Sequence, residues 1–230
     1  MSKKEQEKTL LEKYVYSTIA FAKENIRAIV IWAVVTVILF AAAVSGAVLA
    51  DIHRKDILNE YTSIMEEYEK VLSDEDPSDD DIALAAQRIA GLADRALFGY
   101  IKRNGYYIAA GIFFQNENYP ESKEYYEMFL TKQSSSELAP LAQFQSAVCS
   151  EWLDKPEEAF FIYKQMEADL QDTRYMERIV YDIARLYAQR GEEEKAKEYY
   201  NRVLTEYPSS YYANQSRKRL MLLHYESGSQ

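Results

Sequence analysis

The 230-residue chain has one cysteine, two histidines, seven glycines and five prolines. Each scarcity removes a class of function. Cys149 alone cannot close an internal disulfide, and with only His53 and His224 no zinc-binding set can be assembled. It falls in an apolar helical stretch and reads as a small buried hydrophobe rather than a reactive thiol. So few glycines leave little material for a phosphate cradle or a dinucleotide turn. The G-x-S-x-G elbow, the P-loop, H-E-x-x-H and the kinase motifs do not occur. Carboxylates abound, but none stands out as an acid–base pair. The chain is expected to be non-enzymatic, with no cofactor and no metal.

A basic stripe is also missing. Residues 1–28 carry six Lys/Arg and four Glu, and residues 29–50 carry no charge. This leaves 21 basic and 33 acidic side chains in residues 51–230, a balance of −12 that repels phosphate backbones and argues against nucleic-acid binding. Tyrosine, by contrast, is abundant at 20. Such rings fill gaps between helices while their hydroxyls reach water or a partner.

The uncharged run Ile29 to Ala50 would extend about 33 Å as a helix, enough for a hydrocarbon core of about 30 Å. A cleavable signal peptide competes, because Val48-Leu49-Ala50 resembles a cleavage site. The run is longer than a signal core and follows a 28-residue amphipathic segment with Leu11, Val15, Thr18, Ala22 and Ile26 on one face, so an uncleaved anchor is favoured. Lys3, Lys4, Lys8, Lys13, Lys23 and Arg27 precede the run, and only Arg54 and Lys55 follow closely. The positive-inside bias predicts a cytoplasmic N-terminus and delivery of the remainder across the membrane, into the periplasm of a Gram-negative-type cell.

Past the anchor, Ile57, Tyr61, Ile64, Tyr68 and Val71 form one helical stripe, read as packing on the next helix, with a dimerising coiled coil as the alternative. The acidic segment 73–81 is a linker, and Ser78 with Asp81 marks a helix start. It lacks the Gly and terminal Glu of a calcium loop. From Ile82, the positions Ala86, Ile89, Ala93, Ala96, Leu97 and Tyr100 define another helix, making residues 51–102 a degenerate helix pair. Asn104-Gly105 breaks the regular pattern early in the first repeat. Pro140 and Pro156 suit first turns, and Gly191 suits an inter-helix turn.

From Arg103 to Ser210 a helix-pair pattern recurs every 37 residues, giving units at 103–136, 140–173 and 177–210. The last reads Val180, Ile183, Ala184, Tyr187, Ala196, Tyr200, Pro208. The same slots hold Gln143, Ser146, Ala147, Ser150, Ala159, Tyr163, Gln171 one period earlier, and Tyr106, Ala109, Ala110, Phe113, Ser122, Tyr126, Ser134 before that. This spacing resembles the tetratricopeptide repeat (TPR) superfamily, though its period is 37 rather than 34, and Ser122 and Ser134 stand where Ala and Pro are usual. The closing stretch from Glu198 resembles repeats of bacterial envelope proteins, including the BamD lipoprotein and the Tol-Pal-associated coordinator. The whole layout is similar to the YfgM-type ancillary subunit of the Sec translocon. The expected fold is an all-α solenoid on one N-terminal span, capped by a polar helix at 211–225 and ending in a disordered 226–230.

The resemblance implies a scaffold for other proteins: translocon subunits, periplasmic chaperones or envelope-assembly factors. A ligand-binding accessory to a transporter is the alternative. In TPR proteins the first helix of each repeat lines the concave face, which the resemblance maps here to Tyr107, Phe114, Phe144, Trp152, Arg178, Tyr181 and Arg185.

Overall fold

A computed structural model describes residues 3–74, 77–169 and 175–228, with side chains between 13 and 225. The described residues form ten helices and no strand, and the chain divides into units of residues 1–55 and 56–230. The fold is all-α with a TPR-like helical repeat, as expected.

The first unit comprises α1 (Lys3–Glu24) and the beginning of α2 (Ile26–Leu72). α2 contains a window apolar and long enough to cross a membrane, with none of it buried inside the protein. Its Thr36 hydroxyl donates to the Trp32 carbonyl at 2.8 Å, so that group is satisfied by its own helix. The Leu11 side chain on the expected amphipathic face lies outside the described residues.

In the second unit the end of α2 buries Ile57, Ile64 and Tyr68 against α3 (Asp79–Arg95) and α4 (Tyr100–Gln115). Ion pairs from Glu67 to Arg88 and from Glu60 to Arg95 set the register between α2 and α3. The apolar stripe thus packs on its own chain. Ser78 caps α3, its Oγ accepting the Asp81 N–H at 3.4 Å, and three aspartates in the first turn face the positive end of the helix dipole. Residues 75–76 of the acidic linker lie outside the described residues.

Two expectations are corrected here. Leu97 and Tyr100 do not extend the α3 face, because the helix stops at Arg95, and Gly99 at φ +99° turns the chain as few other residues can. Nor does Gly105 break a helix. It lies inside α4, where a Cβ would stand 2.7 Å from the Ala93 Cβ and 3.0 Å from the Ile89 carbonyl oxygen. Glycine is there because α3 and α4 cross too closely for any side chain.

The repeats follow as α4/α5, α6/α7 and α8/α9. Helices α5 (Tyr119–Lys132), α7 (Pro156–Asp169) and α9 (Glu193–Glu206) start 37 residues apart, as do α6 (Ala139–Trp152) and α8 (Met176–Gln189). At equivalent depths Ser122, Ala159 and Ala196 are fully buried, and one turn later so are Tyr126, Tyr163 and Tyr200. Ser122 fits the alanine slot because its hydroxyl donates to the Ala110 carbonyl at 2.9 Å. Cys149 is buried beside it, its thiol 3.4 Å from the Ser122 hydroxyl, and burial pushes the thiol up. The slot residue Gln171 lies outside the described residues.

Each first helix ends in one motif. Glu117, Asp154 and Gly191, again 37 apart, adopt φ of 58°, 57° and 72°. The next N–H donates back across the turn from Asn118 to Phe113, Lys155 to Ser150 and Glu192 to Tyr187, at 2.9, 2.9 and 3.0 Å. This is the left-handed Schellman stop, made by glycine only in the last copy. α10 (Tyr211–Gly228) closes the array. Its backbone stays helical three residues beyond the expected 225, since no proline or left-handed residue intervenes, and residues 229–230 lie outside the described residues. The cap is also less polar than expected, as Tyr211, Met221, Leu222 and Tyr225 are exposed alongside Arg217, Lys218 and Arg219.

Gly105→Leu is expected to destabilise the fold by about 1–3 kcal/mol or more through overpacking. Gly111→Ala meets nothing within 4 Å and is expected to add about 0.5–1 kcal/mol from helix propensity. Urea unfolding followed by circular dichroism checks both.

Candidate protein-interaction surface

The expected concave-face residues sit on α4, α6 and α8, and the structure sorts them into exposed and internally used groups. Tyr107 is half-buried, its ring edge-on to Tyr126 at 5.6 Å and to Phe129 at 5.5 Å. Phe114 is half-buried and edge-on to Tyr119 at 5.6 Å. Tyr119 in turn stacks flat on Trp152, 5.2 Å between centroids and 5° between planes. Trp152 is 64% exposed, so this aromatic run ends in an indole open to solvent and held by a ring beneath it. Tyr119 bridges two of the expected residues although the repeat gave no signal for it. One and two periods on, the same slot holds Pro156 and Glu193.

Phe144 corrects the expectation. It is 2% exposed, packed on Tyr163 at 5.6 Å and Tyr175 at 6.2 Å, with the Arg178 guanidinium 4.5 Å above its ring. A residue of the next repeat covers it, so it seals the seam between α6 and α8 rather than meeting a partner. Arg178 shares that task and remains half open. Tyr181 is half-buried between Tyr200 at 5.7 Å and Tyr212 at 5.3 Å, the second ring coming from α10.

Arg185 is likewise internally engaged. Its guanidinium pairs with Glu151 on α6 and with Asp182 at 3.3 Å. Tyr163 donates its hydroxyl to Glu151 at 3.0 Å, completing a network that ties α6, α7 and α8 together. Asp182 is 7% exposed, and its Oδ2 has no hydrogen-bond partner, although the Arg178 Nε lies 3.5 Å away. Burial pushes the Asp182 carboxyl up against the pull of Arg185, with Glu151 adding repulsion. For Arg185, burial pulls the guanidinium down, but the Glu151 and Asp182 carboxylates outweigh it and the net shift is upward. Burial also pushes the hydroxyls of Tyr126 and Tyr163 far up, and that of Tyr200 up to about 12, so these rings remain neutral.

A second ionic clasp joins α7 and α9. Glu167 accepts from Lys164, Arg202 and, at 3.1 Å, the Tyr199 hydroxyl. Burial opposes the charge on Glu167, but Lys164 and Arg202 outweigh it and hold the carboxyl below its usual range. No group of three or more His, Cys, Asp or Glu able to hold a metal occurs among the described residues. Open clefts of about 270 Å³, between Arg185, Tyr200, Arg219 and Leu222, and about 520 Å³, along Leu130, Ser134, Gln143 and Gln165, line the array.

Arg185→Ala is expected to cost about 3 kcal/mol, because it leaves the half-buried Glu151 without its cation and the buried Asp182 with Arg178 alone, 3.5 Å away. Asp182→Asn is expected to behave oppositely. The folded chain holds the Asp182 proton more tightly than the unfolded chain, so the carboxylate penalty appears as pH rises from 3.8 through the raised folded value. At pH 8 the Asn variant should therefore melt no lower than the parent, and any advantage should vanish in acid. Melting curves of the three chains at pH 4 and pH 8 check both statements.

Residues 180–210 match the family model of the tetratricopeptide repeat, covering α8 from Val180 onward, the turn after it and the whole of α9. No curated protein matches the chain. The last helix pair is thus similar to a tetratricopeptide repeat by sequence, and the 37-residue spacing of α5, α7 and α9 carries the same packing back through the two earlier pairs.

Proposed function

We propose that this chain is a non-enzymatic, membrane-anchored scaffold that gathers other proteins at the outer face of a bacterial inner membrane, in secretion or envelope assembly. The observation that carries it is Trp152, a large indole 64% exposed on a rigid helix and stacked on Tyr119. An aromatic already fixed in place loses little freedom on binding, and buried aromatic and arginine anchors dominate interface energetics. Phe114, Tyr107 and Tyr181 extend the surface along the first helices, and the outward part of Arg178 adds a cation. TPR-like arrays serve as protein-binding modules, and the apolar run of α2 supplies the anchor.

The finer assignment rests on the order of segments. A basic tail, one span, an amphipathic helix and then the array resemble the YfgM-type translocon subunit, which supports contact with translocon subunits and periplasmic chaperones. The six basic groups before the run support a cytoplasmic N-terminus. The open clefts favour a protein partner over an enclosed small molecule.

Trp152→Ala is expected to weaken capture of partner proteins from solubilised membranes by a factor of about 30, the equivalent of a 2 kcal/mol hot spot, with the melting temperature within a few degrees of the parent. Unchanged capture would remove Trp152 from the surface. For topology, a cysteine placed at Ser229 in a Cys149→Ala background should react with a membrane-impermeant thiol reagent in Gram-negative spheroplasts. Labelling only after lysis would reverse the orientation.

A further inference from the structure

The turn between α3 and α4 is more apolar than the connections that follow α5 and α9. It exposes Leu97 by 69%, Phe98 by 48% and Tyr100 by 57%, whereas Ile101 behind them is buried and Gly99 fixes the bend. The corresponding turn after α5 is Gln-Ser-Ser-Ser-Glu at 133–137, and the one after α9 is Tyr-Pro-Ser-Ser at 207–210. Water-facing turns are ordinarily polar, so three large apolar side chains within four residues need a cover. Charge narrows what covers them. Residues 95–103 contain Arg95, Lys102 and Arg103 and no acid, within a region that is otherwise strongly acidic.

Position in the chain narrows it further. Arg95, the last residue of α3, pairs with Glu60 of α2 at 2.6 Å. Glu60 lies ten residues after Ala50, where the uncharged run ends. The turn is tethered this closely to the bilayer, so lipid is present at high effective concentration before any protein arrives. Aromatic and aliphatic side chains flanked by Arg and Lys are the composition that settles at a headgroup boundary, especially an anionic one.

We propose that the α3–α4 turn is a second membrane contact, seating Leu97, Phe98 and Tyr100 in the interfacial region of the bilayer that the apolar run of α2 crosses. The proposal rests on the reading of that run as a span. Two contacts on one bilayer restrain the tilt of the array and hold its first repeat at the membrane, so partners meet the surface from a fixed side.

The full chain, in a Cys149→Ala background, would carry an environment-sensitive fluorophore at Phe98→Cys, Tyr100→Cys, Ser135→Cys or Val37→Cys in turn. Each would be reconstituted into vesicles of phosphatidylethanolamine and phosphatidylglycerol at 3:1. Labels at 98 and 100 are expected to shift to the blue and to be quenched by lipid spin-labelled near the headgroup, but not by iodide. The label at 135 should behave in the opposite way, and the label at 37 should be quenched by lipid spin-labelled deep in the chain. Quenching at 37 with water-like behaviour at both 98 and 100 overturns the proposal alone, and leaves the turn to a protein partner. Absence of lipid quenching at 37 overturns the spanning reading and the proposal with it.

Discussion

The array depends on a single steric requirement, the close approach of the second helix of each repeat to the first. Ser122, Ala159 and Ala196 have side chains small enough to allow it, and Tyr126, Tyr163 and Tyr200 fill the space opened one turn later. Burying each tyrosine removes about 150–250 Å² from water, and truncating a buried ring costs about 3–5 kcal/mol. The helices must also reverse direction at the same depth each time. The left-handed stop at Glu117, Asp154 and Gly191 ensures this, and two of the three copies tolerate a side chain in a conformation that disfavours one by about 1–2 kcal/mol. The rest of the second unit follows, because helices held at a constant spacing present their remaining faces to the neighbouring repeat or to solvent.

Where repeats meet, polar groups take over from apolar packing. The network of Glu151, Asp182, Arg185 and Tyr163 and the clasp around Glu167 both join one repeat to the next. Their responses to pH oppose one another. The depressed Glu167 stabilises the fold above its ordinary value of 4.5 and loses that contribution as pH falls through the folded value, while the raised Asp182 becomes less unfavourable over the same descent. Acid therefore loosens the contact of α7 with α9 and relieves that of α8 with α6.

The repeats were legible in the sequence because small-then-aromatic spacing records a contact between neighbouring helices. The long apolar helix was legible from the absence of charge over 29–50, and the α3 cap from Ser78 with Asp81. What was not legible depended on contacts across repeats or on backbone angles. Phe144 occupies a slot that faces the groove in a generic repeat, yet Tyr175, just before α8, and Arg178 on α8 close over it. Arg185 looks like a free anchor until Glu151, 34 residues earlier, is seen to meet it. Tyr119 has no counterpart one period away, and Gly105 reads as a breaker until its distance from Ala93 is known. Leu97 and Tyr100 fit a helical period, but the extended backbone of Ala96 ends α3 before the first, and Gly99 turns the chain before the second.

With Phe144 and Arg185 engaged inside the array, the proposed binding surface centres on the indole that stacks on Tyr119. A photo-crosslinking amino acid placed at position 152 in intact membranes tests this most directly, with the same group at Phe161, an exposed ring on a second helix, for comparison. Discrete protein adducts are expected at 152 and few at 161. Equal adduct patterns at both positions, or none at 152, would contradict that proposal.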